Sequence, residues 1–552
     1  MQTSLKKFIR HPPALKKTLF ILMALAVWSF FLWRAFNVYG PGSDVNNVGF
    51  NSDSAIPVLM SNEERPSTVF NLYYYGTDRW GAWAFLATHF IHRATGYRWT
   101  DQSLFMLQTL WLFVGALVFA ALSRRDLLLA ALVYLTALCL HTQSRLQIFE
   151  LSQLYAWQTT ALLFGWYALR RMFEFDFEAA KKRWDWKRSA LIFLTLGFSL
   201  LAVWSSNASI VFLMFLLHLE ALRARLKTKG ERIYRRLLKP YAFALISIVA
   251  ATLIEWLLKM NFHRHALKHY GQDFKTSFHL DIGYLAENLG AQLRNIGSLS
   301  WWPLYLLSIL ITLALACSFL YALFKKREGL LEKLKTTIAD DTMILAIGAF
   351  AIAAMNFTLA VMVDHVRLNQ YDSRFLTLTN LFCPISGMLM IFLIFKLIVR
   401  SSRFNSYAQP AFIVIVLLLL TIKFPAQSYS NEYKSTKEAA LALAQKAPRG
   451  ILMGGYWETY VFTALQPENA MTAVPLEGYE VRMPWTRELV RRANQVIVEY
   501  RRVHSGGPVV PPERLNQYGS SLRLVDPKWY ENDLYAFALY VNETQERRNR
   551  QD

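Results

Sequence analysis

The chain is poor in three things. Its only cysteines, Cys139, Cys317 and Cys383, each fall inside an apolar run, so neither a disulfide framework nor a Cys-rich metal site is supported. It has no Gly-rich phosphate loop, no dinucleotide fingerprint and no Ser-based nucleophile elbow, so nothing points to ATP or NAD chemistry. Acids are scarce too, 39 against 60 Lys and Arg, leaving a net charge of +21. On a soluble chain that excess would suggest nucleic acid. Here the basic residues cluster between apolar stretches, as they do in retained cytoplasmic loops, and no nucleic-acid partner is expected. Internal repeats and low-complexity segments are also missing.

What the chain has in quantity is apolar length. The hydrophobic set makes up 54% of it and aromatics 15%. Stretches long enough to span a bilayer recur at 18–38, 101–123, 126–141, 153–170, 189–204, 208–222, 240–260, 300–324, 342–363, 376–399 and 408–424. The first follows Lys6, Lys7, Arg10, Lys16 and Lys17 and lacks a small-residue cleavage site, which predicts a retained helix rather than a signal peptide. Basic clusters occupy alternate connections: the N-terminus, Arg124-Arg125, Arg170 to Arg188, Arg223 to Lys239, Lys325 to Lys335, and Arg400 to Arg403. One continuous helix over 189–222 would be about 50 Å long, against a hydrocarbon core of about 30 Å. With both flanks basic, that stretch must be a hairpin, and Ser205-Ser206-Asn207 supplies its turn.

These patterns predict an all-α polytopic membrane bundle of about eleven transmembrane helices over residues 1–424. The N-terminus is then cytoplasmic and residues 425–552 lie on the other side. That C-terminal part is mixed polar and apolar and reads as a small α/β extracytoplasmic domain. Within it, 435–447 and 485–503 read as helices, and 450–465, 471–475, 522–525 and 537–541 as strands.

Three outer segments can build a site: 39–100, 261–299 and 364–374. The first contains Arg79 to Thr95, where Trp80, Trp83, Ala87, Phe90, Ile91 and Ala94 recur at helical spacing and His89, His92 and Arg93 fall opposite. This predicts an amphipathic helix along the membrane surface. Asp53 sits where the chain returns toward the bilayer, as a general base or as the cap of the helix that follows. Asp78 and Arg79 pair a second acid with a permanent cation, or begin the surface helix. His365, Arg367, Tyr371, Asp372 and Arg374 crowd the ends of two spans, where Arg374 either snorkels or holds an anionic headgroup. Glu255 and Lys259, four residues apart, read as a mutually neutralising pair. His263, His265, His269 and His279 lack a tight metal-binding spacing. In the C-terminal domain, Gly455-Tyr456-Trp457-Glu458-Thr459-Tyr460 carries aromatics that either stack on a sugar or fill a strand's core.

The basic N-terminus, the long first loop with Ser52-Asp53, its surface helix and the soluble domain after the last span together resemble the GT-C superfamily of integral membrane glycosyltransferases. The segment Tyr73-Tyr74-Tyr75-Gly76-Thr77-Asp78-Arg79-Trp80-Gly81 is similar to one found in bacterial cell-envelope members. The resemblance implies residence in the bacterial inner membrane with the C-terminal domain periplasmic. It implies a polyprenyl-phosphate-sugar donor, an envelope glycan, lipid or protein acceptor, and inversion at the anomeric carbon. Asp53 matches the loop acid, with Asp78 as a second one. The donor phosphate would fall to Arg374, Arg79, Arg367, His365 and Tyr371, and the acceptor to Trp457 and Tyr460. Ser54 stands where several branches have a second acid, so a divalent metal (Mg or Mn) and an Arg-based phosphate site stay open as alternatives. Two rival functions also remain: an O-antigen polymerase or ligase, and a flippase or transporter for lipid-linked sugars.

Overall fold

The computed structural model describes residues 22–549 apart from 23–24, 27, 36–38, 43–49, 51, 64–71, 74–80, 124–126, 141–146, 176, 178–185, 229–232, 264–277, 279, 300, 326, 399–429, 449, 467–470, 479–485 and 503–509. Asp78, Arg79, His265, His269, His279 and the stretch 408–424 therefore lie outside the described residues.

After a helical stretch at 28–35, the membrane part contains α1 (Ser52–Ser61), α2 (Trp83–Thr95), α3 (Asp101–Leu122), α4 (Leu127–Leu140), α5 (Tyr155–Glu174), α6 (Trp186–Ser205) and α7 (Ser209–Lys227). It continues with α8 (Ile233–His263), α9 (Ile282–Gly297), α10 (Trp302–Phe324), α11 (Glu328–Ile338), α12 (Asp341–Met362), α13 (Asp364–Leu368) and α14 (Thr377–Ile398). Each stretch expected to span between 101 and 399 coincides with one of these helices. Six of them are long and apolar enough to cross a membrane, making the chain an integral membrane protein. The hairpin at 205–208 is present: α6 stops at Ser205, and Ser206 O accepts the Ser209 N–H as α7 begins.

Local chemistry fixes the helix starts. Thr100 caps α3 through a reciprocal box with Ser103, and Asp340 accepts from Thr342 N at the head of α12. α3 has 22 residues, about 33 Å, and so defines two ends of the bundle. Asp101 marks the near end, on which the C-terminal domain sits. Leu122 marks the far end, where its carbonyl accepts from Arg170. There Glu220 of α7, fully buried, takes Arg170 of α5 at 2.8 Å and Arg223 at 2.6 Å, while Arg223 reaches Asp341 of α12 at 3.1 Å.

The C-terminal domain contains α15 (Asn431–Lys446), β1 (Ile451–Gly454), α16 (Tyr456–Leu465), β2 (Thr472–Pro475), α17 (Thr486–Arg492), β3 (Gln495–Arg502), β4 (Arg514–Gln517), β5 (Ser520–Glu531), β6 (Tyr535–Asn542) and α18 (Glu543–Asn549). Its sheet order is β2-β1-β3-β6-β5-β4, with β1 parallel to β2 and β3 and the remaining pairs antiparallel. Two expectations are corrected. Residues 450–465 are not one strand: because β1 and β2 are parallel, the chain must cross over between them, and α16 is that crossover. Residues 485–503 are not one helix: Val496, Ile497 and Val498 are β-branched and put alternate side chains on opposite faces, which suits a strand buried on both sides. Ile451, Met453, Val496 and Val498 line a core of the domain's own. Leu452 and Ile497, on the other face, join the core that runs through Tyr433, Tyr460 and Phe462 into the bundle.

Candidate functional site

The first loop is pinned to the near end by its own polar side chains. Ser61 pairs with Thr88 at 2.7 Å, the Asn62 amide bonds the backbone of Trp99 both ways, and Trp83 donates to Ser205 in the α6–α7 turn. Gly81 donates its N–H to Trp204 O at 2.9 Å, and a Cβ there would overlap the Trp204 ring and carbonyl, so only glycine fits. α2 turns Ala87, Phe90, Ile91 and Ala94 outward and buries Thr88, His89 and His92, as its pattern predicts, whereas Trp83 packs inward against Trp111 and Trp157 and Arg93 is exposed. Burial, then the charges of Arg93 and His92, lower the pKa of His89.

Two carboxylates of the membrane part each receive a tyrosine hydroxyl from the C-terminal domain. Asp53, half-buried in the first turn of α1, where a helix favours negative charge, accepts from Tyr456 Oη of α16 at 2.7 Å. Asp101, buried at the head of α3, accepts from Tyr433 Oη of α15 at 2.5 Å. The Tyr433 ring lies against Gly42, where a Cβ would collide with it, and edge-on to Phe50 at 6.2 Å. Charge-assisted bonds of this kind are the stronger ones. The domain is thus clasped over Asp53 rather than tethered beside it.

The second cluster is the turn between α13 and α14. The Asp372 N–H donates to Asn369 O at 3.1 Å, closing a tight turn whose central residues, Gln370 and Tyr371, have φ of 54° and 58°. Left-handed backbone costs roughly 1–2 kcal/mol per residue with a side chain, so the surroundings must impose it. They do: Tyr371 N donates to Val366 O at 2.9 Å, its carbonyl accepts from Asn295 at 2.7 Å, and its hydroxyl donates to Glu287 at 2.6 Å. Burial, and then Glu287, raise the Tyr371 pKa. Arg374 donates to Asn369 Oδ1 at 2.7 Å, lies 3.5 Å from the Asp372 carboxylate and covers the Phe375 ring at 5.0 Å. His365 meets the same ring edge-on, and Arg367 lies over the Tyr284 ring at 5.6 Å. The expected group is therefore gathered here. Tyr371, however, serves the turn through Glu287.

No protein-family model and no curated protein matches the chain. Among solved structures it is similar to the apo form of the Archaeoglobus fulgidus oligosaccharyltransferase, at 12% identity and a TM-score of 0.41 over 88% of this chain and 69% of that one. The archaeal oligosaccharyltransferase from the same organism, in complex with an inhibitory peptide and a dolichol-phosphate, gives 11% identity and 0.39 over the same shares. At those values the likeness carries no argument, and the reading of the site rests on the geometry above.

Several side chains stand differently from the sequence reading. Glu255 takes the hydroxyl of buried Tyr73 at 3.0 Å as a tether on the first loop, in addition to the charge of Lys259 one helical turn on. Tyr460 is fully buried, edge-on to Tyr456 at 5.8 Å, and packs in the core, where it cannot stack on a sugar. The Trp457 side chain lies outside the described residues. The partner that α16 brings to Asp53 is Tyr456, which the sequence shows only as one aromatic among several.

One feature of the near end was missed altogether. The connection into α5 is sunk into the bundle, with Ile148, Phe149, Leu151, Ser152 and Leu154 all buried and Ile148 O accepting from Gln108 at 2.7 Å. Gln108 is seven residues into α3, about 10 Å below its start. A single helical turn at 147–149 followed by turns, rather than a spanning helix, persists at that depth only where protein or a cavity satisfies its backbone. Glu150, half-buried on this floor, adds a carboxylate beneath the near end. Its only sequence signal is an acid between two spans. Among the described residues no three His, Cys, Asp or Glu side chains gather as a divalent metal would need, so no step is routed through a metal here.

Proposed function

We propose that the chain is a membrane glycosyltransferase. It moves a sugar from a polyprenyl-phosphate-linked donor to an envelope glycan, lipid or protein acceptor on the face that carries the C-terminal domain. The observation that carries this reading is the Tyr456 hydroxyl held 2.7 Å from the Asp53 carboxylate. A hydroxyl at hydrogen-bond distance from a carboxylate at the near end has the geometry that a general base needs toward an acceptor hydroxyl. In this mechanism Asp53 takes the proton of the acceptor O–H as its oxygen forms a bond to the sugar C1. The bond from C1 to the lipid phosphate breaks, the phosphate leaves with the electron pair, and the configuration at C1 inverts. Arg374, with Arg367 and His365 beside it, meets the charge that grows on the phosphate. Asp78 and Arg79 remain part of this reading as second acid and second cation, and Trp457 as an acceptor platform. The face is the periplasmic one in a bacterial inner membrane, in line with the basic loops at the opposite ends of the spans.

Asp53→Asn tests it. Asn keeps the shape and accepts the Tyr456 bond through its amide oxygen but has no basicity, and general-base catalysis contributes roughly 10²–10⁴-fold. Sugar transfer from a polyprenyl-phosphate donor by wild-type and Asp53→Asn protein, read beside their melting temperatures, should show lost turnover at nearly unchanged Tm. An Asn variant of full activity removes Asp53 from the chemistry, leaves Asp78 as the acid of the loop and favours the polymerase reading.

A further inference from the structure

α9 is inside out for a soluble protein. Its polar side chains Asn288 and Gln292 are wholly buried, while Ile282, Leu289 and Leu293 are 84%, 42% and 52% exposed. With Ala286, also exposed, these fall at 282, 286, 289 and 293, a single apolar stripe along one side of the helix. A helix on an aqueous surface puts that stripe on the protein and its amides in solvent. α9 does the reverse.

What covers the stripe follows from its neighbours in the chain. α8 and α10, before and after it, both contain candidate membrane spans, and only 11% of the α10 window is buried inside the protein. Both expose apolar side chains, Leu257 and Met260 near the end of α8 and Trp302 and Leu306 at the start of α10. These are faces that hydrocarbon covers. α9 ends at Gly297 and α10 begins at Trp302, so the C-terminal end of the stripe lies close to a residue of the kind that marks the headgroup boundary.

We infer that α9 lies in the bilayer interface on the near side, its apolar stripe seated against lipid, and that this seating holds the Arg374 turn at headgroup height. Away from the stripe, the same helix makes contacts that impose the turn: Asn295 donates to Tyr371 O at 2.7 Å, and Glu287, at the exposed edge, takes the Tyr371 hydroxyl, while buried Asn288 donates to Val361 O at 2.8 Å and anchors α9 to α12. Lipid on one side of α9 and the left-handed turn on the other are thus mechanically linked. An anionic group carried by a membrane lipid reaches Arg374 by lateral diffusion, without leaving the interface. This inference does not depend on sugar transfer or on the role of Asp53.

Full-length protein in phosphatidylcholine nanodiscs tests it. In a Cys317→Ser background, whose other cysteines Cys139 and Cys383 are buried, Leu289→Cys and Leu293→Cys are labelled with a polarity-sensitive fluorophore. Val510→Cys, 81% exposed in the C-terminal domain, is the aqueous control. The α9 labels should emit to the blue of the control, lose intensity to lipid carrying a spin label near its carbonyls, and resist aqueous iodide. Iodide quenching equal to the control, with none from spin-labelled lipid, overturns the membrane seating. The link to the turn is read by amide exchange. Leu289→Gln with Leu293→Gln should speed exchange at the Tyr371 N–H, and an unchanged rate overturns the coupling even if the labels report lipid.

Discussion

Replacing Glu220 by Gln should be among the most damaging single changes in the bundle, although it touches nothing near Asp53 or Arg374. Glu220 is fully buried, and its Oε1 takes Trp166 Nε1 at 2.7 Å and Arg170 at 2.9 and 2.8 Å. Its Oε2 takes Arg223 at 2.6 Å. Arg223 goes on to Glu174 at 3.0 Å and Asp341 at 3.1 Å, and Lys227 closes the set on Asp341 at 2.6 Å. Arg170, Arg223 and Lys227 thus meet Glu220, Glu174 and Asp341 across α5, α7 and α12, and half-exposed Arg171 pairs with Glu174 at 3.1 Å from the rim. Gln leaves one cation in excess and, having a single acceptor oxygen, turns its NH₂ toward donors. Breaking a buried pair in this way costs about 3–5 kcal/mol, because the partner charge stays buried and unpaired. The exposed pair of Glu332 and Lys335 is the control, worth under about 1 kcal/mol. Melting in detergent of Glu220→Gln, Arg170→Gln, their double variant and Lys335→Ala would test this. The double variant restores charge balance and should melt above the sum of its single losses, since contacting residues are not additive. A Glu220→Gln protein that melts with Lys335→Ala would show that water reaches the cluster and refute the reasoning.

Arg374→Ala should reduce use of a lipid-phosphate donor by about 2–4 kcal/mol in transition-state stabilisation at subsaturating donor. Arg374→Lys should restore only part, because the planar fork is lost, and an unaffected Ala variant would move the phosphate site elsewhere. Tyr433→Phe leaves buried Asp101 without its 2.5 Å donor, a bond to a charged group worth about 1.5–3 kcal/mol. Limited proteolysis between the bundle and the C-terminal domain should accelerate in that variant, and an unchanged rate would mean that Tyr433 does not clasp the domain. His89 is held neutral by burial, so its folded pKa lies below the unfolded value of about 6.5. The stability this confers is complete above that value and is lost as pH falls below it. The Tm should drop as pH falls below about 6.5, less steeply in His89→Gln, and parallel curves would discount the histidine.

The sequence by itself marked the apolar helices between 101 and 399. Apolar length and basic flanks leave few ways to thread a bilayer, since every backbone group must be satisfied inside the helix that crosses. The helices at the apolar stretches between 101 and 399 and the 205–208 hairpin follow from that one constraint. It also marked the residues around Arg374 as a group, because they are adjacent in the chain. Only tertiary structure decided the rest. The bonds from Tyr456 to Asp53 and from Tyr433 to Asp101 join residues 403 and 332 positions apart, and no local pattern encodes them. Local propensity failed at α16 and β3 because a parallel sheet demands a crossover and a buried strand, needs that exist only once β1, β2 and β3 are neighbours. The left-handed Gln370-Tyr371 pair likewise has no signal in its own residues. Contacts from α9, about eighty residues earlier, impose it against the preference of both side chains.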